Sequence, residues 1–124
     1  MEYDAQKSPN PEEWNALEEG ERLAAIIEYH ENVGDDLPNL NLHAAFHAIV
    51  ENQIALGEDG PVDTLNRLMV ESLDRHDAVH AVGSVLSEQI FRMLNGRRPS
   101  GYDAAQYNRK LAKLTAKKWR KGSR

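Results

Sequence analysis

Leu40-Asn41-Leu42-His43-Ala44-Ala45-Phe46-His47-Ala48-Ile49-Val50-Glu51-Asn52-Gln53-Ile54-Ala55-Leu56 is the stretch that decides the fold. Across these 17 positions Glu51 is the one formally charged residue. Phe46, Ile49, Val50 and Ile54 recur three and four apart, the spacing of one face of an α-helix. Gly57 stands just past the end, where a helix stops most readily. A helix with so little charge must be covered on most of its circumference, so the stretch predicts a central element of an all-α domain.

The flanking sequence reads the same way. Downstream, Gly60-Pro61 opens a helix carrying Val62, Leu65, Leu68 and Met69. Asp74 caps the next, with Asp77 three residues on as in a capping box, and the apolar series Val79, Val82, Leu86, Ile90, Leu94 runs to Asn95-Gly96. Ser100 caps a last helix with Asp103 at its third position and a thin apolar side of Ala105, Leu111 and Leu114. Upstream, Asn10-Pro11-Glu12-Glu13 starts a helix that continues through Trp14, Leu17, Leu23, Ala24, Ile26, Ile27 and Tyr29 to about Asn32, weakened at Gly20. Gly34-Asp35-Asp36-Leu37-Pro38 breaks it. Alternating apolar runs are absent, so no strands are expected. The expectation is a single all-α domain over residues 1–124, bundle-like, with about five helices. Helices two and four are central, residues 1–9 are disordered, and residues 97–124 form a basic C-terminal helix and tail.

Composition narrows the chemistry. The chain has 124 residues, no cysteine, five histidines and a net charge of −5. That length suits one domain. The lack of thiols excludes disulfides and thiolate metal sites. No apolar run approaches the roughly 18 residues of a membrane span. Met1-Glu2-Tyr3-Asp4 does not start like a signal peptide, so a soluble cytoplasmic protein with no membrane association is expected.

The charge is segregated. Residues 1–36 hold 11 acids and two bases, residues 37–96 eight and three, and residues 97–124 one and ten. Such a tail could neutralise phosphates of a nucleic acid, with Trp119 available to stack on a base. Only Tyr102, Tyr107 and Trp119 interleave with the bases, and no nucleic-acid motif accompanies them, so a solvated, partly frayed helix is the favoured expectation. The same lysines suit pairing with the acidic first helix, within one chain or across a homodimer.

Chemistry concentrates in the histidines. His43-Ala44-Ala45-Phe46-His47-Ala48-Ile49 is echoed 33 residues later by His76-Asp77-Ala78-Val79-His80-Ala81-Val82. Histidines four apart share a helix face, about 6 Å along the axis, which lets both reach one ion. His43, His47 and Glu51 follow one border of the apolar stripe, and His76 and His80 take the same place on their helix. If the two borders face each other, four imidazoles and one carboxylate converge. The expected site is His43, His47, His76 and His80, with Glu51 as extra ligand or general base. Nitrogen-rich ligation of this kind suits Zn, Ni or Fe. The competing reading is an interaction or structural module whose histidines hydrogen-bond one another. His30, alone near the end of the first helix, reads as a surface or C-terminal cap residue.

Known enzyme templates fit in part at best. A ferritin-like site needs Glu-x-x-His twice, but Leu40, Ala44, Leu73 and Asp77 stand three before the histidines. A zincin needs His-Glu-x-x-His, which neither pair supplies. His30, His47-x-x-x-Glu51 and His76-x-x-x-His80 look closer to a hemerythrin, yet nothing after residue 80 completes its ligand set. The His76-Asp77 doublet, with His47 upstream and Asp103 downstream, is similar to the ligand order of HD-type phosphohydrolases. The sequence singles out no reaction.

The segment from His43 to Gln53, then Arg67-Leu68-Met69 and Leu73-Asp74-Arg75-His76-Asp77-Ala78-Val79-His80-Ala81-Val82-Gly83-Ser84, resembles a bacterial family of uncharacterised proteins, a domain of unknown function (number eighteen forty-one). The likeness spans about residues 37–110, including Tyr102-Asp103-Ala104-Ala105-Gln106-Tyr107, and takes in both His-x-x-x-His pairs. The acidic start and basic end look like additions to that pattern. The resemblance implies a small all-helical protein and brings no activity, substrate or cofactor with it.

Overall fold

The computed structural model describes residues 2–34, 39–95 and 103–122. Seven α-helices and no strand occur among them: α1 Pro11–Ala16, α2 Glu19–Asn32, α3 Leu40–Ala55, α4 Asp59–Val70, α5 Arg75–Asn95, α6 Ala104–Lys113 and α7 Ala116–Gly122. None of the helices is long and apolar enough to cross a membrane. The all-α expectation is met, with seven helices in place of about five because two expected helices are each split by a cap.

The first split falls at Leu17, whose backbone is extended at φ −74° and ψ 148°. Glu18 then starts α2, its N–H donating to the Glu21 carboxylate at 3.1 Å. This reach-back cap sets the break ahead of Gly20, the residue that looked weakest. The second split falls at Leu114, extended at φ −71° and ψ 133°. Thr115 caps α7, its Oγ1 accepting from the Lys118 N–H at 3.1 Å. The expected cap at Ser100 lies outside the described residues. Asp103 itself caps α6, accepting from the Gln106 N–H at 3.2 Å.

Helices α3 and α4 end in the same way. Past α3, Gly57 adopts φ +72° while its N–H donates to the Ile54 carbonyl and that of Glu58 to the Gln53 carbonyl, both at 3.0 Å. Past α4, Ser72 takes the same left-handed place at φ +83°, with N–H bonds from Ser72 to Met69 and from Leu73 to Leu68, both 3.1 Å. Both are Schellman ends. Serine lacks glycine's freedom there, so the α4 end carries strain.

Helix α3 packs against α1, α2, α4 and α5, and α4 and α6 pack on α5 and on each other. Two apolar clusters result. Val50 of α3 joins Leu65, Leu68, Val79, Val82, Leu86, Tyr107 and Leu111, whereas Ala44 and Ala48 join Tyr3, Trp14 and Ile26. Helix α3 thus stands between the two halves of the core, as its lack of charge requires.

Both chain ends depart from expectation. Residues 1–9 were expected to be disordered, yet Tyr3 and Ala5 are buried. The Tyr3 ring lies 5.6 Å from that of Trp14, and Arg75 donates to the Ala5 carbonyl at 3.0 Å. One aromatic anchor and one cation from α5 order a segment that is polar by composition. Residues 103–122 of the basic end are docked rather than frayed. Tyr107, Leu111 and Ala116 are buried, Arg67 donates to the carbonyls of Leu114 (2.6 Å) and Leu111 (3.0 Å), and the Ala116 N–H donates to Glu71 (2.8 Å). Backbone acceptors at the end of α6 are thereby satisfied by a side chain of α4. Trp119 packs against the larger apolar cluster, and Lys110 pairs with Glu88 of α5 at 3.2 Å.

Candidate metal centre

Three helices supply the five histidines: His30 from the last turn of α2, His43 and His47 from α3, and His76 and His80 from α5. One ring nitrogen from each lies within 4.8 Å of all the others. The two pairs expected from sequence do face each other, with ring centroids 4.5 Å apart for His43 and His80 and 5.2 Å for His47 and His76. His30 sits in their midst. Its Nε2 is 3.2 Å from that of His43 and 3.3 Å from that of His76.

His30 therefore departs from its expected place as a surface or cap residue, since it is fully buried. Its position carried the signal: it stands four residues after Ile26 and seven after Leu23, on the buried stripe of α2. A histidine at the end of an apolar stripe is more informative than one near the end of a helix.

Glu51, expected beside the histidines, turns away from them. It takes a bidentate ion pair from Arg75, Nη1 to Oε2 and Nη2 to Oε1, both at 2.8 Å. The reason is electrostatic, because a buried carboxylate needs a full counter-charge and more than one donor. Tyr3 adds the further donor, giving its hydroxyl hydrogen to Glu51 Oε2. Neither Tyr3 nor Arg75 carries a local sequence signal, since their partnerships with Glu51 span 48 and 24 residues.

The hydrogen bonds fix where the ring protons sit. Tyr3 has one hydrogen, committed to Glu51, so towards His47 Nδ1 at 3.0 Å it can only accept. His47 is thus protonated on Nδ1 and carries its lone pair on Nε2. His30 donates from Nδ1 to the Ile26 carbonyl at 2.8 Å, which likewise puts its lone pair on Nε2. A carboxylate, a phenol and an imidazole in series hold His47 in the ligating tautomer, as outer partners do around bound metals.

Electrostatics favour the neutral form of His80 and His47. Burial pushes His80 down to about 3, and the neighbouring His76, His43 and His30 add to the shift. His47 is depressed further below the usual histidine range, first by burial and then by the other four rings. Tyr3 is pushed far above the usual phenol range, by burial and then by the Glu51 carboxylate, so it keeps its proton.

The residues fit a metal on two observations. His47 Nε2 and His80 Nε2 are buried with no hydrogen-bond partner among the described residues. Such orphans are uncommon, and each costs about 1–3 kcal/mol unless something occupies the lone pair. Metal–nitrogen bonds near 2.0–2.1 Å put tetrahedral neighbours about 3.4 Å apart and opposed ligands about 4.2 Å apart, close to the cluster's own spacings. On one side the cluster opens into a cavity of about 220 Å³ walled by His43, Phe46, His47, Val79, His80, Gly83, Ser84, Ser87 and Trp119.

Compared with known protein families, curated proteins and solved structures, the chain matches none.

Proposed function

We propose that the protein binds one divalent first-row metal ion through His30, His43, His47, His76 and His80. The observation that carries this is the convergence of ring nitrogens from five histidines within 4.8 Å, beside two buried Nε2 atoms, of His47 and His80, that have no hydrogen-bond partner among the described residues. Glu51 and Tyr3 support the centre from outside by orienting His47. Zn, Ni and Fe all accept imidazole, but five nitrogen donors suit Ni and Fe, which take five or six ligands, better than tetrahedral Zn.

The second reading is a histidine hydrogen-bond network that orders the core. Its support is the pair of short contacts from His30 Nε2 to His43 and His76. It leaves the Nε2 atoms of His47 and His80 unexplained, so metal binding is the stronger reading.

The test uses protein purified without an affinity tag. Elemental analysis should find about one equivalent of metal, and melting should shift down with chelator and recover with Ni(II) or Fe(II). An ion at 1,000 times its dissociation constant adds about 4 kcal/mol of stability. Empty protein that gains nothing from Ni, Fe or Zn overturns the proposal in favour of the network.

A further inference from the structure

We infer that the cavity beside the cluster admits a small monoanion to a coordination position of the bound metal; the inference rests on the metal reading above. Three facts point there. First, the donor set is five imidazoles, a ligand that binds metal as the neutral ring, so a divalent ion would keep both its charges. The nearby carboxylate cannot offset them, since Glu51 is already matched by the bidentate Arg75. An uncompensated charge in a buried site is costly, and an anionic ligand is the simplest relief.

Second, the cavity reaches the ligands. His43, His47 and His80, three of the five clustered histidines, form part of its wall, so a small ligand in the cavity would lie beside an ion held by their rings. Third, the remaining walls offer an anion no positive charge. Phe46, Val79, Gly83 and Trp119 carry no charge. The hydroxyl hydrogens of Ser84 and Ser87 are directed to the backbone carbonyls of Ala81 at 2.7 Å and Ser84 at 3.0 Å. The metal would be the one full positive charge in that wall, so anion binding should depend on it. A volume of about 220 Å³ has room for a ligand of a few heavy atoms.

Azide is the probe and Co(II), whose visible spectrum reports coordination, is the metal. Titrating the cobalt-loaded protein with azide should give a saturable change in the cobalt bands, with no azide binding to metal-free protein. Ser87→Leu fills the cavity from α5 and should lower azide affinity about tenfold or more by crowding, at unchanged cobalt stoichiometry. Gly83→Ala is the milder second variant, because a Cβ there meets only Val50 Cγ2, at 3.7 Å, and the fold is kept. It should weaken azide in the same direction. Cobalt bound with no response to azide overturns this inference and leaves the metal reading standing, and so does azide affinity equal in wild type and both variants. Failure to bind cobalt at all overturns the metal reading, and this inference with it.

Discussion

Tyr3 has one hydrogen to give, and Glu51 takes it. Replacing Tyr3 by Phe would strip a donor from a buried carboxylate and an acceptor from the His47 Nδ1–H. The expected cost is about 1–3 kcal/mol in urea unfolding. Metal affinity, measured by competition with a chelator, should fall about 10- to 100-fold as His47 loses its fixed tautomer. Glu51→Gln acts more severely, since it leaves the Arg75 guanidinium buried without a counter-charge, and about 3–5 kcal/mol is expected by the same measurement. Ser72→Gly works in the opposite direction. It relieves the φ of +83° at the end of α4 and should stabilise the protein by about 1 kcal/mol; a neutral or negative result would show that this turn is unstrained. The four paired histidines were legible because a helix repeats every 3.6 residues and their spacing is four. Tyr3 and Arg75 were not, because what defines them is a partner far along the chain.

Among the elements, α3, α4 and α5 are written plainly in apolar spacing, and the bounds of α3 and α5 are marked by Gly57 and Asp74. The splits of the outer helices are written more faintly, in Glu18 with Glu21 and in Thr115, where one side chain outweighs the continuity of the pattern. Docking of α6 was hidden for a different reason. Its helix looks solvated by composition, yet Tyr107 and Leu111 are buried and Arg67 of α4 caps its carbonyl end. Leu111→Ala therefore should cost about 2–5 kcal/mol in urea unfolding, as a core truncation does. A solvated, frayed helix would give almost no change.

For the whole molecule, the neutral histidines set a pH dependence. His80 and His47 lie below their ordinary 6.5 in the folded chain, and return to it on unfolding. Between those values the unfolded state holds more protons, so stability rises with pH. The contribution is complete above about pH 7 and is lost as pH falls from about 6.5, through about 3 for His80, at up to about 1.4 kcal/mol per pH unit for each histidine. Metal-free protein should thus show a lower urea midpoint at about pH 5 than at about pH 7.5, and a flat profile would contradict buried neutral rings.

The spread of the five histidines along the chain has a consequence in time. His30 and His76 lie 46 residues apart and on different helices, so no partial structure that lacks α2, α3 or α5 gathers all five rings. Contacts that form only after the folding transition state do not speed its formation. An ion held there would leave the folding rate nearly unchanged and slow unfolding instead. Stopped-flow refolding with and without Ni(II), set beside unfolding rates, separates the two. The centre would then act as a latch closed after assembly, and the lifetime of the folded chain would follow the release of its metal.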